Sequence, residues 1–381
     1  MLLKEIAREA LELKSKLFPP LLTNIYASNF SKTALLSYIT QPFGKKNVDP
    51  KHTNHYESSN LAKALNQLGY VVDVCDFRYG TKGTKHYDVL VGFGETFEHS
   101  VHNFSCSKRI LYATGMQASV QNTNTFKALE RYLNITGKMR PAGLRYVKET
   151  WPHQLYLNNA VLSLGNYVAA NTFRQLSSSQ VYEIPPFPLK KSNSSIQIDL
   201  HCAAEFVWFG SNGSIHKGLD LAIELAFRLD KKVNIIGLSP KERFIITDFE
   251  EKYGRDEFAR RVKVYSYIPI GSKQMKEILR HCKYLVFPTA SEGGSPSIIS
   301  LLERYQLIPI YSKYASVTLP FHFEINPFDL NASEKTLAEA FELNDEETKL
   351  GINKNITYIR SHYTLNHHYE AVLAALQETL V

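Results

Sequence analysis

The chain has 381 residues, 44% hydrophobic and 21% charged, a balance that suits two folded domains and excludes general disorder. Lys and Arg outnumber Asp and Glu by 44 to 37, and the net charge of +7 is spread along the chain without a dense basic run. That distribution argues against a nucleic-acid binder and leaves anionic small ligands or an anionic membrane surface open.

The first segment, 1–22, lacks the apolar core of a signal peptide. It places Leu3, Ile6, Ala10, Leu13 and Leu17 at helical spacing among mixed charges. The stripe predicts a helix packed on the protein's own core, with a membrane-surface helix as the alternative. No run of about 18 apolar residues follows anywhere, so no membrane-spanning helix is expected. Residues 33–43 read as a strand, followed by a polar loop. A helix then carries Leu61, Leu65 and Leu68 on one face and stops at Gly69. The segments VVDVCDF, YDVLVGFG and KRILYATG are further short strands, giving the strand–helix alternation of a parallel sheet. In such sheets ligands gather at the carboxyl ends of the strands. Residues 125–163 read as helical and irregular. Residues 182–201, with three prolines and a Ser/Asn cluster, read as an interdomain linker. A second alternating series then begins at 206 and includes strands at 232–238, 261–269, 283–289 and 307–312. The chain ends in an amphipathic helix. Cys75, Cys106, Cys202 and Cys282 show no C-x-x-C spacing and read as buried free thiols.

Two strand–glycine–helix junctions carry chemistry. In FVWFGSNGSIHKGLDL, Gly210 and Gly213 allow close backbone approach, and Lys217 adds a charge beside a helix N-terminus. Unpaired backbone N–H groups there make a phosphate-sized anion site. In PTASEGGSPSIISLLE, Gly293 and Gly294 free the backbone, Ser295 or Ser297 can cap the helix, and Glu292 precedes the turn. An ionised carboxylate accepts hydrogen bonds from sugar hydroxyls. One basic and one acidic junction in the same half predict a charged ligand bearing hydroxyls. GFGETF (92–97) is a weak partial dinucleotide fingerprint without its third glycine. No Asp-x-Asp occurs, and the histidines lack a metal-ligating set, so no metal site is expected.

These two junctions, with LIPIYS after them, resemble the donor-binding half of retaining GT-B glycosyltransferases of the family-four type, and more narrowly bacterial surface-polysaccharide enzymes with an HKGLD loop. HTNHYESSNLAKALNQLGYVVDV and KRILYATGMQ resemble their acceptor half more weakly. The resemblance implies an α/β architecture of two Rossmann-like, doubly wound domains facing a central cleft. It implies an acceptor-side domain over 1–190, a nucleotide-sugar domain over 200–350, and a helix over 355–381 that returns to the first domain.

In that family the loop lysine, here Lys217, shares the donor diphosphate with an arginine whose position falls on Asn212, five residues earlier. Gly210, Ser211 and Gly213 complete the loop. Glu292 matches the glutamate that contacts the transferred sugar. The second glutamate, eight residues on, falls on Ser300, and Glu303 is the nearest acid on the same helix face. The nucleobase would dock near Tyr267 and Ile268, and Gly293, Gly294 and Ser295 would form the second helix start. On the acceptor side, His52, His55 and Glu57 are candidates, and Thr114 or Gly115 stands where many members have a histidine. The implied reaction is metal-independent transfer from a nucleotide-sugar to a glycan or lipid-linked hydroxyl. No cofactor beyond that co-substrate is implied. The implied location is the cytoplasm, at the inner membrane face. The rival readings are a non-catalytic nucleotide- or sugar-binding protein and a nucleotide-sugar epimerase or hydrolase.

Overall fold

The computed structural model describes residues 21–44, 52–79, 85–103, 106–147, 157–189 and 204–380. The amphipathic stripe of the first 20 residues, most of the loop after the first long strand, Cys202 and the polar part of the linker lie outside them. The described residues form two sheets. The first series runs β1 (Leu21–Leu22), β2 (Lys32–Tyr38), α1 (Thr53–Gln67), β3 (Tyr70–Asp76), β4 (Tyr87–Gly92), α2 (Glu95–Asn103), β5 (Cys106–Ala113), α3 (Ala118–Thr136), β6 (Ala160–Leu164), α4 (Tyr167–Arg174) and β7 (Gln180–Ile184). The second runs β8 (Glu205–Phe209), α5 (Leu219–Arg228), β9 (Val233–Ile236), α6 (Phe244–Tyr253), α7 (Arg255–Arg261), β10 (Val262–Tyr265), α8 (Lys273–Leu279), β11 (Cys282–Phe287), α9 (Pro296–Arg304), β12 (Ile308–Tyr311) and β13 (Phe323–Glu324). Three helices close the chain: α10 (Leu330–Phe341), α11 (Asp345–His362) and α12 (Leu365–Leu380).

The sheet orders are β1-β3-β2-β4-β5-β6-β7 and β10-β9-β8-β11-β12-β13. All pairings are parallel except that of β1 with β3. Parallel strands covered by helices on both faces read as continuous apolar runs, and β6 and β11 are buried at every residue. Two expected boundaries move. The strand expected over 33–43 stops at Tyr38, because Pro42 cannot donate to a ladder and sits in a single 3-10 turn, Gln41–Phe43. Tyr182, Glu183 and Ile184, read as the start of the linker, belong to β7, and the linker begins at the prolines that follow. Cys75, Cys106 and Cys282 are buried free thiols. Among the described residues no helix is long and apolar enough to cross a membrane.

The segment between β5 and β6 is unusual, because α3 packs on the second domain. Its Ala128, Leu129 and Tyr132 share a core with Trp208, Leu221 and Ile245. Arg131 is the anchor. Its Nε and Nη2 donate to Asp220 at 2.8 and 2.7 Å, and Nη1 and Nη2 donate to the carbonyls of Pro327 and Ile215 at 2.6 and 2.8 Å. Both partners are buried, so each charge depends on the other for its solvation. Beyond the helix, Tyr132 and Arg140 both donate to Asp248.

The last helix, α12, packs on α1 and on the first domain's core through Val372, Ala375 and Leu376. Its His368 is fully buried, with Nε2 3.1 Å from the Tyr112 hydroxyl and Nδ1 3.0 Å from the Asn60 amide. Burial lowers its pKa from 6.5 to about 3. Arg131→Met, which leaves Asp220 buried without its cation, should cost about 3–5 kcal/mol in urea unfolding. A loss below about 1 kcal/mol, the scale of an exposed pair, would show that the seam does not rest on this pair. The His368 ring is neutral in the fold and protonates near 6.5 once unfolded, so its contribution falls as pH drops from 6.5 toward 3. In melting curves over that window, His368→Gln should lose less stability per pH unit than the wild type. Parallel profiles would refute the assignment.

Candidate functional site

The junction after β8 is shaped by neighbours on every side. Trp208 Nε1 donates to the Lys217 carbonyl at 3.1 Å, and Ala290 N donates to the His216 carbonyl at 2.8 Å. His216 is fully buried. Its Nε2 lies 2.5 Å from the Ser291 carbonyl, which can only accept, so Nε2 carries the proton. Nδ1 then accepts from the Thr125 hydroxyl of α3 at 2.9 Å. Burial, partly offset by the Glu292 charge, lowers the ring's pKa to about 4 and keeps it neutral. His216 therefore ties together the loop, the first domain and the β11 junction.

Lys217 sits at the centre. Its Nζ donates to Ser211 Oγ at 3.2 Å and lies 3.5 Å from Glu292 Oε1. Burial pushes the Glu292 carboxyl up, but Lys217 and then Arg145 outweigh it and hold the pKa at about 2. Arg145 comes from the first domain, on the segment after α3. Its Nη1 lies 3.1 and 3.3 Å from the two Glu292 oxygens. The residues around it are fastened to α3 by Gln121 Nε2 on the Arg145 carbonyl at 2.9 Å and by a two-way bond between Asn122 and Val147 at 2.8 Å each way.

Several expectations need correction. Of the backbone N–H groups expected to be unpaired at this junction, those of Gly213 and Ser214 donate to the buried Glu242 carboxylate at 2.7 and 3.0 Å. Glu242 thus occupies part of the loop's own anion site. Ser295 does not cap α9. It adopts the left-handed region at φ 38°, and its hydroxyl donates to the Ala315 carbonyl at 2.8 Å. Gly293 and Gly294 serve the contact between domains. A Cβ on Gly293 would lie 2.3 Å from the Thr114 carbonyl, and one on Gly294 would lie 2.8 Å from Pro186. Ser300 is buried, accepts from Leu189 N at 3.1 Å and donates to the Pro296 carbonyl. Glu303, with Arg360 3.9 Å away, lines a separate cavity of about 440 Å³ that also contains Tyr56 and Phe187. Tyr267 is exposed, whereas Ile268 is buried in the core.

On the first domain, His52 is not in a loop interior. It caps α1, its Nδ1 accepting from Asn54 N at 3.3 Å. Desolvation first, and the nearby Lys217 ammonium to a smaller degree, hold its pKa below the ordinary value. His55 lies in the first turn of α1. Glu57 does not face the cleft. It is buried and accepts from the Tyr38 and Tyr112 hydroxyls at 2.8 and 3.2 Å. The reason is local: on a helix, positions 57, 61 and 65 share a face, and Leu61 and Leu65 face the core. Burial raises the Glu57 pKa, against the hydrogen bonds that stabilise its charge. Thr114 does line a cavity of about 300 Å³ beside Glu292 and Arg145, with Phe77, Phe93 and Phe173 among its walls. Ser291 lines it too, and its buried hydroxyl has no hydrogen-bond partner among the described residues. Arg145, Glu242, Ser291 and the role of His216 were missing from the sequence reading. Among the described residues no cluster of three His, Cys, Asp or Glu side chains could hold a metal ion.

No protein-family model matches the sequence, and no curated protein matches it. Solved structures do. A sucrose-phosphate synthase from Thermosynechococcus elongatus superposes on 92% of this chain and 98% of its own, with TM-score 0.55 and 12% identity. A glycosyltransferase from Rickettsia africae covers 92% and 99% at TM-score 0.55 and 10% identity. Anabaena HepE, in complex with UDP and glucose, covers 92% and 100% at TM-score 0.53 and 11% identity. The chain has the GT-B fold. At these identities the likeness is one of architecture over nearly the whole length. In the GT-B frame, Lys217 and Glu292 stand at the carboxyl ends of β8 and β11, beside the cavity between the domains.

Proposed function

We propose that the protein is a glycosyltransferase moving a sugar from a nucleotide-sugar to a hydroxyl acceptor. One observation carries the reading: Lys217 and Glu292, far apart in sequence, meet at 3.5 Å beside the cavity between the two domains. The fold-level likeness to HepE, whose structure holds UDP and glucose, supports a nucleotide-sugar as the ligand class. Lys217 would hold the donor diphosphate and stabilise charge building on the leaving group. Glu292, ionised at neutral pH, would accept from hydroxyls of the transferred sugar. The exposed loop residues Ser211 and Asn212, and the segment at Tyr267 and Ile268, would flank the nucleotide. Thr114 and the Ser291 hydroxyl would face the acceptor cavity, with His52 nearer Lys217. Retention at the anomeric carbon, independence from metal, a glycan or lipid-linked acceptor in surface-polysaccharide synthesis, and action at the inner membrane face complete the proposal. They rest on the motif resemblance.

A second reading has its own observation. Glu242 already holds the Gly213 and Ser214 N–H groups, and Ser300 is tied to the linker. A nucleotide- or sugar-binding protein without turnover would tolerate that loss of donors. A thermal-shift screen with UDP, GDP, ADP, CMP and their sugars, without added metal, tests for the donor. Ligand at about 100 times its Kd adds about 2.7 kcal/mol of stability. Release of the nucleotide from its sugar only when acceptor is present would favour transfer, and binding without release would favour the second reading.

Lys217→Ala should weaken nucleoside-diphosphate binding by about tenfold or more, the worth of one charge-assisted bond. Unchanged affinity would remove the phosphate role. Glu292→Gln should lower kcat by about tenfold or more while nucleotide affinity changes less than about threefold. Equal loss of both would make Glu292 a structural residue.

A further inference from the structure

We propose that Arg145, carried by the first domain, is the second cation of the donor-diphosphate site, which is therefore complete only when both domains are assembled. The inference rests on the nucleotide-sugar reading of that site and names a binding residue for it.

Three observations converge. The first is charge. Two carboxylates, Glu242 and Glu292, border the loop, and Lys217 is the cation that the loop itself brings. His216 is neutral, and Asn212 is uncharged. With Lys217 alone, the second domain would meet a diphosphate with more negative charge than positive. Arg145 redresses that balance, and its fork of N–H donors suits two phosphate oxygens.

The second is position. The Arg145 stem lies directly over Gly213, where a Cβ would come within 2.2 Å of Arg145 Cγ. The loop thus has glycine at φ +83° where the arginine crosses it. The guanidinium then reaches the carboxylate that Lys217 also approaches, so both cations bracket one small volume. The side chain remains about half exposed, and so it is free to exchange Glu292 for an incoming anion.

The third is support. The arginine is delivered from an ordered platform. Gly143 packs against Ile215 of the loop, and its carbonyl accepts from His216 N. Asn122 and Gln121 hold the following residues to α3, whose Arg131 is locked to Asp220. A merely solvated arginine needs none of this. When a donor binds, Glu292 would turn to sugar hydroxyls, and Arg145 and Lys217 to the diphosphate oxygens that replace it.

The test uses the full chain and isothermal titration with UDP, GDP and ADP, and with the monophosphate of whichever binds. Arg145→Ala should weaken the diphosphate by about 10- to 100-fold and the monophosphate much less. Arg145→Ala combined with Asn212→Arg, which returns a cation to the loop, should recover at least about threefold of that loss. Melting temperature and circular dichroism check that each variant is folded. If the wild type binds a nucleoside diphosphate and folded Arg145→Ala binds it equally well, the assignment is overturned. It is also overturned if the only change is a higher acceptor KM, which would move Arg145 to the acceptor cavity. A wild type that binds none of the three diphosphates would instead overturn the function proposed above, separately from any comparison of variants.

Discussion

The structure depends on one buried ion pair and the helix that delivers it. Arg131 of α3 reaches out of the first domain's sequence and is solvated almost wholly by the second: by Asp220, by the Ile215 carbonyl and by the Pro327 carbonyl. A guanidinium in that setting has few alternatives, because leaving any donor unmet in the interior is costly. The pair therefore fixes where α3 lies. The position of α3 in turn places Thr125 on His216, Asn124 on the Ala290 carbonyl, and the Arg145 segment over the loop. The two halves of the site are held in register by a buried contact that reaches the Lys217 loop itself, at the Ile215 carbonyl, and the helix start after it, at Asp220.

The same seam explains the glycines. Residues that read as sites of close ligand approach turn out to be sites of close approach between domains. Gly293 meets the Thr114 carbonyl, and Gly294 packs on Pro186 and Gly165. Any side chain there would push the domains apart and separate Glu292 from Arg145. The cavity beside Glu292 is consequently a product of both domains: aromatic walls from the first and a charged rim shared between them.

The electrostatics are arranged so that charge is concentrated where it can act. His216 and His368 are buried and neutral, serving as hydrogen-bonding joints. Glu57 is enclosed by tyrosine hydroxyls inside the first domain. What remains in the cleft is one strongly acidic carboxyl between two cations, a cluster that an anionic ligand can rearrange without creating a bare buried charge.

The alternation of apolar runs and amphipathic stretches was enough to read two parallel sheets, because burial on both faces demands continuous apolar strands. The two glycine junctions were legible for a similar local reason: a lysine or glutamate between a strand end and a helix start sits at a sheet's ligand-binding edge whatever the rest of the chain does. Tertiary structure alone decided which groups complete them. Arg145 stands in a stretch with no clear period, and nothing local in it announces that α3 leaves its own sheet for the other domain. Glu242 reaches the Gly213 and Ser214 N–H groups from the junction after β9, and Glu57 turns inward because its helix face is set by Leu61 and Leu65. Sequence pattern reports the faces and ends of single elements. The partner across an interface is set by long-range packing and by the need to satisfy buried charge, which no single element contains.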